Sequence, residues 1–234
     1  MRGLNLGMYL RAVPLLLRHP SILAVPLLAA VVDVLIAQIA PLATDAVGGF
    51  GMQLFSLLVQ LVYLWAFGVA IVQASNIWRG RRGNFDEAWE ESRVKFGGIA
   101  LAAIGFQYVI WAASYVGSLM GSLGGYLSLA LGAVAAFFLI YTMPAASIGG
   151  MPGSLALGAS IRGVRANVLP SLVLAIVFVA LWFVLVPMAL PYLLVHLSPL
   201  VWQLVGAAAR ALALGYLAFP FAKQYDDVAF TRFW

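Results

Sequence analysis

Two ionisable side chains stand inside long apolar runs: Asp33 in "AAVVDVLIAQ" and Arg210 in "GAAARALALG". An acid and a guanidinium placed there can pair with one another, relay a proton, or hold a polar ligand. A second concentration of charge is "RGRRGNFDEAWEES" at 79–92, where Arg79, Arg81 and Arg82 precede Asp86, Glu87, Glu90 and Glu91. Phosphate binding, acid/base work and metal binding all use such residues. However, no histidine stands near these acids, and a helix with an acidic face is ordinarily solvated. Asp226 and Asp227 lie beside Lys223 and Arg232, which predicts a salt-bridged tail. His19 and His196 are far apart and fall on opposite sides of the topology developed below. There is no H-E-x-x-H, G-x-S-x-G or P-loop. With no cysteine in the chain, disulfides, thiolate metal sites and a cysteine nucleophile are excluded. We therefore expect no catalytic, cofactor or metal site, and no enzymatic activity.

The elements that position these charges follow from composition. Of 234 residues, 64% are hydrophobic and 9% charged, with mean hydropathy +1.02. Ordinary soluble domains carry about 25% charged residues. A water-soluble core of this size has no room for so much apolar surface, so its natural solvent is lipid. The net charge of +5 would suggest nucleic acid in a soluble protein. In a membrane protein it marks basic cytoplasmic loops. The cluster at 79–83 is short and lacks interleaved aromatics, so no nucleic-acid partner is expected. Arg18, His19 and Pro20 interrupt the first apolar stretch, which reads as mature protein rather than a signal peptide.

A span needs about 20 apolar residues. Six such runs are present, at about 21–43, 50–75, 97–120, 124–148, 168–193 and 198–222. They form a single transmembrane domain over 1–234. The joints after the first, third and fifth are brief, giving three hairpins. Twelve of the 13 Lys and Arg residues, all but Arg210, fall on the side of the termini, while the opposite loops carry Asp45 and His196. The positive-inside rule then places both termini in the cytoplasm of a bacterial cytoplasmic (inner) membrane, multi-pass. Trp65, Trp78, Trp182 and Trp202 are either interfacial anchors or packing residues.

Each hairpin follows a lead-in of similar grammar: a small residue, a cation, then a break. The sets are Ala12, Arg18 and Pro20; Ala88, Lys95 and Gly97; and Ala156, Arg165 and Pro170. The second and third share Ala-x-x-x-Ser (Ala88/Ser92, Ala156/Ser160), whereas the first has Leu16 at that place. Three short amphipathic helices in the interface are expected, with cations at headgroup level. Asn84 and Glu87 have capping-box spacing, and Glu91 to Lys95 is a favourable i,i+4 pair. Arg79, Arg81, Arg82, Lys95, Arg162 and Arg165 are the expected contacts for anionic headgroups.

Asp33 lies about 12 residues past the start of the first span, and Arg210 about 12 before the cytoplasmic end of the last. Both therefore sit ~18 Å from the same surface. Matched depth predicts an ion pair between the first and last spans; the alternatives are snorkelling, or a protonated Asp33. Gln38, Gln60, Gln73, Gln107 and Gln203 add buried polarity for interhelical bonds or a cavity, with Gln60 and Gln107 the candidates for lining one. Gly117, Gly121 and Gly125 have the spacing for close helix approach.

"RAVPLLLRHPSILAVPLL" (11–28), "RRGNFDEAWEES" (81–92) and "MPAASIGGMPGSLALGASIRGVRANVLPSLVLAI" (143–176) resemble a bacterial group of six-helix proteins related to the membrane domain of glycerophosphoryl diester phosphodiesterases. Members of that group often carry Glu where this chain has Ser147-Ile148-Gly149. The resemblance implies an inner-membrane helical module and carries over no catalytic residue, because the active site of such phosphodiesterases belongs to a separate soluble domain. The expected function is non-enzymatic: lipid contact, or service as a subunit or scaffold for another membrane protein or a second copy. The rival is a transporter or flippase of a lipid-like or small amphiphilic substrate through a polar cavity near Asp33, Arg210 and Gln107.

Overall fold

The computed structural model describes residues 5–81, 83–189 and 198–230. Arg82 and the joint between the last two expected spans, with His196, lie outside them. Among the described residues every regular element is helical. The helices are α1 (Gly7–Arg18), α2 (Ala24–Trp78), α3 (Phe85–Val94), α4 (Phe96–Ser118), α5 (Gly124–Phe138), α6 (Thr142–Ser147), α7 (Gly153–Ala166), α8 (Val168–Val179) and α9 (Pro199–Phe230). A π-helical stretch, Ala180–Ala189, continues α8.

The protein is an all-α membrane protein. Five stretches are long and apolar enough to cross a bilayer: Pro20–Ala40, Leu54–Trp78, Phe96–Ser118, Gly121–Ser147 and Leu200–Ala229. A sixth joins them if α7 and the run Val168–Trp182, which meet at 113°, count as one.

Although α2 is helical along its length, it cannot be straight. Tyr63 touches Asp33, thirty positions earlier, and a straight helix would hold them ~45 Å apart. Gln73 likewise donates to Ser21 Oγ at 2.8 Å. The two arms of α2 therefore run antiparallel, and the chain doubles back between residues 40 and 54.

The three lead-in segments all form helices: α1, α3 and α7. Ala12, Ala88 and Ala156 are each 0% exposed, so each lead-in sets its small residue against the core. The breaks after α1 and α7 share one backbone conformation: His19 has φ −126°, ψ 63°, and Asn167 φ −142°, ψ 59°. Lys95, after α3, bends less sharply (φ −91°, ψ 4°). Ser160 Oγ donates to the Phe138 carbonyl and accepts the Tyr141 N–H, satisfying the backbone where α5 breaks into α6. Ser92 is also buried, but its hydroxyl has no partner among the described residues.

Two sequence expectations need correction. Asn84 makes no side-chain cap to the α3 backbone; its amide instead donates to the Glu87 carboxylate at 3.4 Å, so the capping box does not form. Of the three spaced glycines only Gly117 serves close approach, since a Cβ there would meet the Leu127–Ser128 backbone at 2.4–2.5 Å. Gly121 makes the turn, with φ +60°, and Gly125 faces open space.

Polar groups knit the basic end of the bundle, as expected where lipid offers no partners. Gln224 Nε2 donates to the Tyr141 hydroxyl at 2.6 Å, and that hydroxyl bonds Ser171 Oγ at 2.8 Å, joining α9, the α5–α6 break and α8. Trp78 Nε1 donates to the Phe219 carbonyl, and Arg79 pairs with Asp226 at 2.9 Å, joining α2 to α9.

Candidate functional site

The two arms of α2 and helix α9 bring together the half-buried charges of the first and last spans. Arg210 Nη2 lies 2.9 Å from Asp33 Oδ2. The same oxygen accepts the Tyr63 hydroxyl, also at 2.9 Å, and the Arg210 guanidinium carbon sits 5.9 Å from the Tyr63 ring centre. The Asp33 side chain is 15% exposed and that of Arg210 37%. Arg210 Nε is buried with no acceptor among the described residues.

Depth follows from helix geometry. From Asp33 to Pro20, and from Arg210 to Lys223, the chain runs about 13 residues, or ~20 Å toward the basic end. The triad is therefore far from the charged face, where Arg79–Asp226 and Lys223–Asp227 stand.

Beside the triad is a cavity of about 560 Å³. Its wall shows one face of each helix at helical spacing. The first arm of α2 gives Asp33, Ile36, Ala37 and Ala40; the second gives Phe55, Ser56, Val59, Gln60 and Tyr63. Trp182 and Val186 come from the π-helical stretch, and Trp202, Gly206 and Arg210 from α9. From Arg210 to Trp202, and from Tyr63 to Phe55, is eight residues, ~12 Å, in the direction away from the basic end. The ion pair thus forms the floor of an elongated apolar chamber. Tyr63 meets Trp182 edge-on at 5.6 Å, and Phe178 stacks on Trp182 at 6.4 Å, which stiffens the wall. Widened π-helical turns recur at functional sites, where they re-aim side chains.

Gln60 lines the chamber, with its amide 3.4 Å from Ser56 Oγ. Gln107 does not: it lies half-buried on α4, which contributes nothing to this wall. The reason is placement. α4 packs chiefly on α5 and α7, outside the helices that surround Asp33. Gln38 and Gln203 bond each other and tie the first arm of α2 to α9. Gln73 donates to Ser21 Oγ and the Gly83 carbonyl. Trp182 and Trp202 stand in the chamber wall. Trp65 packs against Trp89 and Phe96.

The sequence reading missed Tyr63. The signal was present: in a hairpin whose turn centres near residue 48, Tyr63 mirrors Asp33 at equal depth.

On the basic end, Arg79 is engaged with Asp226, while Lys95 is held by Glu91 at 2.7 Å and by the Ser147 carbonyl at 2.9 Å. These two cations meet the protein's own partners first. Arg81 donates to Asn76 Oδ1 at 3.3 Å. Arg162 and Arg165 lie exposed along α7. A second groove of about 530 Å³ runs between α4 and α7, walled by Ile104, Gly105, Tyr108 and Leu157, with no charged residue.

Comparisons of this chain with protein-family models, with curated proteins and with solved structures return no match.

Proposed function

We propose that this chain is a six-span protein of the bacterial cytoplasmic membrane, with both termini cytoplasmic. In this reading it forms three hairpins, each led by an interfacial helix, and it binds and moves a lipid-like or small amphiphilic molecule through the chamber at Asp33 and Arg210, without catalysis. The observation that carries this is the chamber itself: a scaffold needs no cavity beside a mid-membrane ion pair. Its volume, about 560 Å³, falls in the range of small-molecule sites, about 300–1,000 Å³. Its lining joins an apolar wall to a few polar groups at one end, the pattern of a site for an amphiphile. The exposed Arg162 and Arg165 suit anionic headgroups on the cytoplasmic face. Kinship with the membrane domain of glycerophosphoryl diester phosphodiesterases is part of this proposal and rests on the stretches quoted for it.

A second reading, a scaffold for another membrane protein or a second copy, is favoured by α4 and α5. Only 17% and 22% of the spans that hold them are buried, against 61% for α9, and Leu101, Ile104, Trp111 and Tyr115 point outward. The test is purification in mild detergent followed by identification of what accompanies the chain. Transport predicts a lipid-like molecule in one-to-one ratio. A stoichiometric membrane protein with no bound amphiphile would favour the scaffold.

A further inference from the structure

The polar end of the chamber is not symmetric in charge, and this deepens the reading above, on which it rests. Asp33 is the more enclosed partner: its Oδ2 receives both the Tyr63 hydroxyl and Arg210 Nη2, and the side chain is only 15% exposed. Arg210 is the open partner. A guanidinium has five N–H donors; here one nitrogen serves Asp33, Nε has no acceptor, and 37% of the side chain is exposed. The Tyr63 hydroxyl donates to Asp33, and of the chamber's other polar side chains Gln60 donates to Ser56 Oγ at 3.4 Å. A cationic head entering this chamber meets a carboxylate whose charge Arg210 already balances and whose side chain is only 15% exposed. A neutral head gains only ordinary hydrogen bonds. An acidic head gains charge-assisted bonds to Arg210, about twice as strong as neutral ones.

We infer that the molecule this chamber takes is an amphiphile with one acidic head, a carboxylate or a phosphate, held by Arg210, its tail lying along Ile36, Val59, Trp182 and Val186. Arg210 then bridges two acids, Asp33 on one side and the ligand on the other. The Tyr63 hydroxyl, by spreading the charge of Asp33, lets the second acid approach. The arrangement predicts opposite effects at the two ends of one ion pair: losing Arg210 abolishes selection for an acid, while neutralising Asp33 frees the guanidinium fork and strengthens it.

The test uses the wild-type chain in neutral maltoside micelles and the fluorescence of its tryptophans, two of which line the chamber. The probes are a fatty acid brominated in mid-chain, its methyl ester, and a brominated alkyl phosphate and alkyl trimethylammonium of equal length. The ester supplies the baseline for partition into the micelle. We expect both acids to quench at roughly tenfold lower concentration than the ester, and the ammonium no better than the ester. Carboxylate and phosphate arms distinguish the head. Arg210→Gln should remove the acid advantage, Arg210→Lys should keep part of it, and Asp33→Asn should enlarge it. Acid and ester quenching alike, both saturably, would overturn the inference while leaving an amphiphile site in place. No saturable quenching by any probe would overturn the site itself.

Discussion

Replacing Arg210 by Leu tests the ion pair directly. In the structure Asp33 has two partners, Arg210 and Tyr63, each at 2.9 Å. The substitution leaves a carboxylate ~20 Å from the basic end with a single neutral donor. Breaking a fully buried pair costs about 3–5 kcal/mol. Arg210 is 37% exposed into the chamber, so that figure must be reduced for screening. The Tyr63 hydroxyl, which stays, offsets a further part, about 1 kcal/mol. We expect a loss of about 2 kcal/mol, which for a chain of this size lowers Tm by about 4–8 °C. If the cost is the orphaned charge, Asp33→Asn in the Arg210→Leu background should restore about 1 kcal/mol or more, and the double variant should be more stable than Arg210→Leu alone. The assay is thermal unfolding in mild detergent, followed by tryptophan fluorescence and by size exclusion after heating. A Tm within one degree of wild type for Arg210→Leu, or strictly additive losses in the double variant, would refute the reasoning.

Other consequences can be checked in the same assay. Gly117→Ala should cost about 1–3 kcal/mol, because its Cβ would meet the Leu127–Ser128 backbone at 2.4–2.5 Å; Gly125→Ala, which meets nothing, should be neutral or stabilising. Ala12→Leu, Ala88→Leu and Ala156→Leu should each lose about 1–3 kcal/mol by overpacking a fully buried site, and three similar losses would mark the lead-ins as one repeated device. Because the chain has no cysteine, single cysteines report sidedness cleanly. Arg162→Cys should react with an impermeant thiol reagent only from the cytoplasmic side and Asp45→Cys only from the other; the reverse pattern, or labelling of both from one side, would overturn the topology.

What was legible in the sequence is what lipid enforces. A bilayer core offers backbone groups no partner, so long apolar runs must be helices, and a charge inside one must answer to another at its own depth. Counting residues from one surface was therefore enough to relate Asp33 to Arg210. Depth says nothing about direction around the bundle, however, and Gln107 shows the consequence: it is polar and within a span, yet its helix packs on α5 and α7, away from the chamber. Tyr63 was hidden for a different reason. A tyrosine in an apolar run reads as packing until the hairpin places it across from an acid. Breaks at His19 and Asn167 were visible as cation-then-Pro patterns, but those patterns carry no angle, and the 113° between α7 and the run Val168–Trp182 was not legible. Asn84 had the right neighbours for a capping box, and side-chain competition for Glu87 decided otherwise.

Movement of an amphiphile through the chamber requires that the chamber hold one. Gly206 lies in its wall, one turn from Arg210, and makes no contact with the ion pair in the bonds described. Native mass spectrometry of the wild-type chain released from mild detergent, beside Gly206→Trp, measures this directly. We predict a discrete bound amphiphile on the wild type that is absent from the filled variant, at matched oligomeric state. Equal retention by both proteins, or none by the wild type, would contradict the account.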